Sequence, residues 1–177
     1  LILSVRLLAT FGFNGQNLRA NSALLPIAYY LRNLDPGDGY LTTTKAKYAK
    51  DRKMIQRWLT KSILKASGIW GSGLDTLLML LRETISEHGR VAFPDVALEA
   101  AMARRGKALS FEEEELEELL DLQYNDPRTF ALLSLLFPSV DLQNHFHVDH
   151  VFPASGFGKK KLRACGLEEK DIEEYRE

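Results

Sequence analysis

The chain has 177 residues, 45% of them hydrophobic and 27% charged, and a formal net charge of −1; this is the composition of a folded globular protein and excludes an intrinsically disordered chain. A single cysteine, Cys165, excludes an internal disulfide and a four-cysteine zinc site, and it favours a reducing, cytoplasmic location. No apolar run reaches the roughly 20 residues that a bilayer span needs, so we expect no membrane helix.

The first half of the chain predicts four helices. Apolar residues at helical spacing indicate a short helix at the start of the chain and a second one capped by Asn21 or Ser22. A third helix is expected from about Thr44 to Lys65, and a fourth follows from Leu74 to Gly89.

The third predicted helix is strongly basic. Eight basic residues and one acid lie between residues 44 and 65, a net charge of +7, and most of the basic residues fall opposite the apolar side. Such a face can bind DNA phosphates, with Lys53 and Arg57 as contact residues, or it can be an ordinary solvated helix surface. Both interpretations stay open. Trp58 and Trp70 are expected in the core rather than stacked on bases.

The second half begins with a short helix after Pro94, and a strongly acidic segment follows. Eight acids and no base lie between residues 110 and 126, and Ser110 with the glutamates after it predicts a capping box. The Glu112–Glu118 run indicates a solvated face, or else a partner for the basic helix, within the chain or in a neighbouring subunit of a homo-oligomer. Nearly continuous apolar residues over Arg128–Phe137 predict a central helix.

The pattern changes after Val140. Val and Phe alternate with polar residues in His145–Pro153, which favours a strand, and two short helices are expected after it, over Lys159–Ala164 and Leu167–Tyr175. Three of the four histidines lie within six residues of one another here, with Asp149 among them. We therefore predict a helical domain over residues 1–139 and a second domain over residues 140–177.

The histidine cluster has three interpretations, since imidazole and carboxylate groups bind divalent cations and imidazole is the natural base near neutral pH. Asp149 and His150, followed by two apolar residues and Pro153, match the first half of the ββα-metal (HNH) nuclease motif. The string His145-x-His147-x-Asp149-His150 also matches a dinuclear metallo-β-lactamase signature, but the long helical pattern before it and the lack of a later histidine disfavour that fold. The third interpretation is of ordinary exposed or core histidines.

Five segments, in order, resemble the C-terminal half of GmrSD-type restriction enzymes, which combine a ParB-like NTPase domain, a helical middle and a C-terminal HNH domain. The matching pieces are Asn21–Leu31, Ile55–Leu59, Gly71–Asp75, Arg128–Pro138 and Phe146–Pro153. The last piece and the order of all five carry the resemblance, because none of the earlier pieces is specific alone.

The resemblance implies cleavage of foreign, often base-modified, DNA in a defence system. It implies a divalent ion, Mg²⁺ or Mn²⁺, held by Asp149, and it implies His150 as the general base. His147 stands two residues before Asp149, a position that suits either an auxiliary metal ligand or an orienting group. A nuclease would hold the DNA backbone just after this motif. The basic residues there are Lys159, Lys160 and Lys161.

The chain departs from the family in two ways. An HNH domain continues with an Asn-containing segment and a later Asn or His ligand, neither of which follows Asp149, and the NTPase domain is missing. We therefore expect a mainly α fold, a multi-helix bundle followed by the opening of an HNH motif, in a fragment with little activity alone. The alternative is a non-catalytic helical module that binds DNA or a protein and carries vestigial histidines.

Overall fold

A computed structural model describes residues 1–42, 46–65, 68–123, 126–137, 140 and 157–174. Over these residues the chain forms nine α-helices and two short 3-10 turns, and no strand. The prediction of a mainly helical protein is therefore confirmed. The predicted strand at His145–Pro153 lies outside the described residues. No helix in the described part of the chain is both long and apolar enough to cross a lipid bilayer.

The chain divides into two compact units, Leu1–His145 and Phe146–Glu177. The first unit holds the helices α1 (Ile2–Thr10), α2 (Leu24–Leu34), α3 (Ala46–Leu64), α4 (Leu74–His88), α5 (Asp95–Ala103), α6 (Glu113–Leu120) and α7 (Thr129–Leu136). The 3-10 turns Asn21–Ala23 and Asp38–Leu41 precede α2 and α3. The second unit holds α8 (Lys159–Ala164) and α9 (Glu169–Glu174).

The core of the first unit is built around an aromatic cluster on α3. Trp58 is fully buried, and its ring meets the rings of Trp70 and Phe93 edge-on, with centroids 5.8 and 5.6 Å away. Tyr30 of α2 contacts Phe93 in the same way at 5.2 Å. Each such side chain contributes roughly 1.5–3 kcal/mol by leaving water, which makes this cluster a main source of stability. The expectation of a core position is confirmed for Trp58, whereas Trp70 is partly buried and packs against the core.

A buried carboxylate joins three segments of the first unit. Asp51 of α3 is 8% exposed and accepts hydrogen bonds from the hydroxyls of Tyr30, at 2.8 Å, and Tyr40. It also accepts one from the backbone N–H of Phe93 at 2.5 Å. A carboxylate this deep in the protein is tolerated only because its oxygens are hydrogen-bonded. Burial, together with the hydrogen bond and the charge of Asp51, raises the pKa of both phenols well above their ordinary value.

The next residue, Arg52, is buried as well. Its guanidinium donates to the carbonyl oxygen of Leu41 at 2.8 Å and to Oγ1 of Thr10 at 3.1 Å, and it lies over the ring of Phe11 at 5.9 Å. Arg52 thereby links α3 to the end of α1 and to the second 3-10 turn. Two of the nine charged residues in the basic segment are therefore part of the framework of the first unit, not of its surface.

Three local expectations need correction. Neither Asn21 nor Ser22 caps α2, whose N-cap is Ala23 and which has no side-chain cap. The capping box of α6 is formed by Glu112 and Glu115, not by Ser110, because Glu112 is the residue with extended backbone next to the first helical turn. Helix α7 is only partly central. Its Ala131 and Ser134 are buried, while Leu136 and Phe137 are 59% and 55% exposed. An eight-residue helix with apolar residues on all sides can turn only one face to the core.

Candidate nucleic-acid-binding surface

Four basic side chains form an exposed stripe on α3. They follow one another at spacings of three, three and four residues, so they share one face of the helix. All four are exposed, and none forms an ion pair with another described residue. We call this set the basic stripe; its members are Lys47, Lys50, Lys53 and Arg57. It contains both α3 residues predicted to contact DNA.

The basic face predicted from the sequence extends beyond the basic stripe to Lys61 and Lys65, but acidic side chains neutralise these two lysines. Nζ of Lys61 lies 2.8 Å from Oε1 of Glu99, and Nζ of Lys65 lies 2.6 Å from Oε1 of Glu115. Lys65 also donates to the carbonyl oxygen of Ser110 at 2.8 Å. Positive charge available to a polyanion is therefore concentrated in the N-terminal and central turns of α3.

The acidic run serves both roles considered for it. Glu115 pairs with the basic helix within the chain, and this hydrogen bond from Lys65 lowers the pKa of the Glu115 carboxyl. The other glutamates of α6 are exposed and form a solvated face. The pairing hypothesis therefore holds for one glutamate of the run.

The second unit presents the lysine triplet at the start of α8. Lys160 and Lys161 are exposed, and Lys159 is partly buried. Leu162 of α8 and Ile172 of α9 are buried, and Arg163 pairs with Glu169, whose pKa is lowered by that hydrogen bond. The first turn of α8 holds no acid, and in this six-residue helix Lys161 and Arg163 lie in the last turn, where basic residues complement the helix dipole.

The predicted catalytic and metal-binding residues His147, Asp149 and His150 lie outside the described residues, so their roles stay predictions. Within the residues that are described, no group of three or more His, Cys, Asp or Glu side chains is arranged to hold a metal ion. The fourth histidine, His88, ends α4, where it is exposed beside Glu87.

A cleft of about 320 Å³ in the first unit brings together residues that sequence reasoning did not connect. It lies between the segment before α2, the end of α3, the Gly68–Gly71 loop and the start of α7. Three of its lining residues are basic: Arg19, Lys65 and Arg128. Arg19 lies in the loop between α1 and α2, and no sequence spacing relates it to Arg128. The grouping could therefore not be predicted from the sequence.

Comparisons with known proteins add no family assignment. No protein-family model matches the chain, and no curated protein is significantly similar to it. The likeness to GmrSD-type enzymes therefore rests on the residues quoted above.

Proposed function

We propose that the chain is part of a metal-dependent DNA endonuclease of the HNH type, acting in the cytoplasm in defence against foreign DNA. The single observation that carries the proposal is the segment Phe146–Pro153, in which Asp149 and His150 adjoin and two apolar residues and Pro153 follow them. The lysines Lys159–Lys161 begin nine residues after His150, and Lys160 and Lys161 are exposed. They support the proposal because the same stretch of chain then offers ligands, a base and phosphate contacts.

Each residue has a distinct role in this proposal. The Asp149 carboxylate would hold a divalent ion, with the His147 imidazole as an auxiliary ligand. When bound, the ion, Mg²⁺ or Mn²⁺, would supply positive charge beside the scissile phosphate and the leaving oxygen. The His150 imidazole takes the proton from the attacking water, a task that suits a group whose ordinary pKa is close to neutral.

The lysines of α8 hold the DNA backbone in this proposal. Lys160 and Lys161 are exposed, so both are accessible to a phosphate group. The NTPase domain of the family, which is absent from this sequence, would license cleavage.

Metal-dependent nicking of supercoiled plasmid by the intact protein tests the proposal. Nicking should require Mg²⁺ or Mn²⁺, and Asp149→Asn should abolish it or raise the metal concentration needed at least about tenfold. Asp121→Asn, which changes an exposed acid after α6, is the matched control and should nick as the wild type does. Nicking in metal-free buffer, or an unchanged metal requirement in Asp149→Asn, would reject the assignment.

A second candidate is a non-catalytic helical module that binds DNA. One observation favours it: the basic stripe on α3 belongs to the first unit, which does not contain the Asp149–His150 pair. Under this candidate the intact protein binds duplex DNA through the stripe and shows no nicking with either metal. The plasmid assay therefore separates the two candidates when DNA binding is measured on the same preparation.

A further inference from the structure

Three basic side chains line the cleft of the first unit: Arg19, Lys65 and Arg128. Lys65 is neutralised by Glu115, and Arg128 by Asp126, whose two carboxylate oxygens lie 3.1 Å from Nε and 2.9 Å from Nη2. Arg19 is exposed and forms no ion pair with any described residue. Arg128 and, more weakly, Arg19 lower the pKa of the Asp126 carboxyl, and the charge of Glu118 acts on Arg128, so acids balance the basic residues around the cleft. The Arg19 guanidinium donates no hydrogen bond to a described residue.

Further donors point to an anionic ligand. Since Asp126 engages Nε and Nη2 of Arg128, the Nη1 group has no acceptor among the residues described, and a guanidinium carries five N–H donors in a planar fork. The Asn21 amide and the Ser22 hydroxyl line the same cleft, and neither makes a hydrogen bond in the described part of the chain. Guanidinium forks with amide and hydroxyl donors are the groups that bind phosphate oxygens.

One aromatic side chain, Trp70, lines the cleft and is held in place. The indole N–H of Trp70 donates to Oγ of Ser62 at 3.3 Å, that hydroxyl donates to the carbonyl oxygen of Leu59 at 2.7 Å, and the Trp70 ring meets Trp58 edge-on. A volume of about 320 Å³ is at the lower end of what small-molecule sites occupy. The space is thus adequate for a phosphate and the planar group attached to it.

We propose that this cleft binds the phosphate group of a nucleotide, with Arg19 and Arg128 on the phosphate and Trp70 as the wall for the base. The site goes beyond the nuclease proposal, because it uses neither the histidines nor a metal ion. The phosphate has two sources with the same chemistry, a free nucleotide or one phosphodiester of a DNA strand.

The test is the NMR signal of the Trp70 indole N–H in the intact protein, assigned with Trp70→Phe. Three probes are titrated: inorganic phosphate, deoxyadenosine monophosphate and a short single-stranded oligonucleotide. We expect a saturable shift of the Trp70 signal. Arg19→Glu should weaken that binding at least about tenfold, since a charged hydrogen bond is lost and a repulsion added. Arg82→Glu, which reverses an exposed arginine on α4, is the matched control.

Each outcome bears on the proposal. Saturation by inorganic phosphate and the monophosphate supports the site and assigns it to a free nucleotide, while saturation by the oligonucleotide alone supports it and assigns it to a DNA strand. No shift with any probe, or equal affinity in Arg19→Glu and Arg82→Glu, overturns it. Loss of plasmid nicking in Asp149→Asn leaves these titrations unchanged, so the two proposals fail separately.

Discussion

Lys65 and Glu115 form an ion pair across fifty residues of sequence, with Nζ 2.6 Å from each carboxylate oxygen. The same carboxylate accepts the backbone N–H of Glu112, so one side chain both caps α6 and joins α6 to the end of α3. The Lys65 side chain is only 9% exposed, which reduces the screening of the pair by water. This contact joins the most basic and the most acidic segments of the chain.

Glu115→Gln should lower the free energy of unfolding by about 1–2 kcal/mol, because it leaves the half-desolvated Lys65 ammonium without its counter-charge. Glu114→Gln, an exposed neighbour, should stay within about 0.5 kcal/mol of the wild type. Urea denaturation of the three proteins at neutral pH measures both. Since pairing lowers the pKa of Glu115, its contribution is present above the ordinary glutamate pKa and is lost as the pH falls through the lowered value. Equal stability of the two variants would mean that the pair contributes nothing.

Asp51→Asn should destabilise the first unit by about 2–3 kcal/mol, because three hydrogen bonds to a buried carboxylate are replaced by weaker or mismatched ones. Asp75→Asn, in the exposed first turn of α4, is the control and should change the free energy of unfolding by less than about 1 kcal/mol. Urea denaturation gives both values. If Asp51→Asn lowers the free energy of unfolding by no more than Asp75→Asn does, the hydrogen bonds of Asp51 do not stabilise the first unit.

The phenols of Tyr30 and Tyr40 should stay protonated while the protein is folded, because burial and Asp51 raise their pKa values. Their protons stabilise the fold below the ordinary tyrosine pKa of about 10, and this contribution declines as the pH rises beyond it. Tyrosinate absorbance followed during an alkaline titration tests this. Tyr40→Phe should remove no absorbance before unfolding, whereas Tyr29→Phe should remove an early step, because Ser86 lowers the pKa of Tyr29. If Tyr40→Phe loses an absorbance step that the wild type shows before unfolding, the prediction is wrong.

Charge reversal in the basic stripe should weaken duplex binding if α3 contacts phosphates. With Lys53→Glu and Arg57→Glu together, the slope of log K against log salt should become less negative by about 1.8, since each phosphate contact contributes about 0.9. Fluorescence anisotropy of a labelled duplex at several salt concentrations provides the slope. The control reverses two exposed arginines away from the stripe, Arg82 and Arg90. The same slope in both double variants would leave the stripe an ordinary solvated surface.

The helices of the first unit could be predicted because helical periodicity is a local property. Leu77, Leu81 and Ile85 repeat on one face of α4, and all three are buried. Asp51 could not be recognised as buried, since it is the one acid in a basic segment and its three partners come from distant positions. The partner of Lys65 could not be predicted either. The six glutamates of the acidic run are equivalent in the sequence, and only the packing of α6 against α3 selects Glu115.

The candidate sites differ in the same way. Lys53 and Arg57 could be chosen from the sequence, because exposure on a helix follows from its apolar face. The cleft around Arg19 and Arg128 could not, since those residues are more than a hundred positions apart and meet only through tertiary packing. In helix α7 the periodicity gives no information, because apolar residues occupy every face. The sequence therefore does not indicate that Ala131 and Ser134 are the buried residues.

The central claim is that His150 is the base of a DNA-cleaving site, and the single-turnover rate of plasmid nicking by the intact protein tests it most directly. His150→Ala should lower the rate constant at least about a hundredfold with DNA binding retained, since general base catalysis contributes about that much or more. His88→Ala, at the exposed end of α4, should nick at the wild-type rate. Nicking by His150→Ala at the rate of His88→Ala would contradict the nuclease assignment.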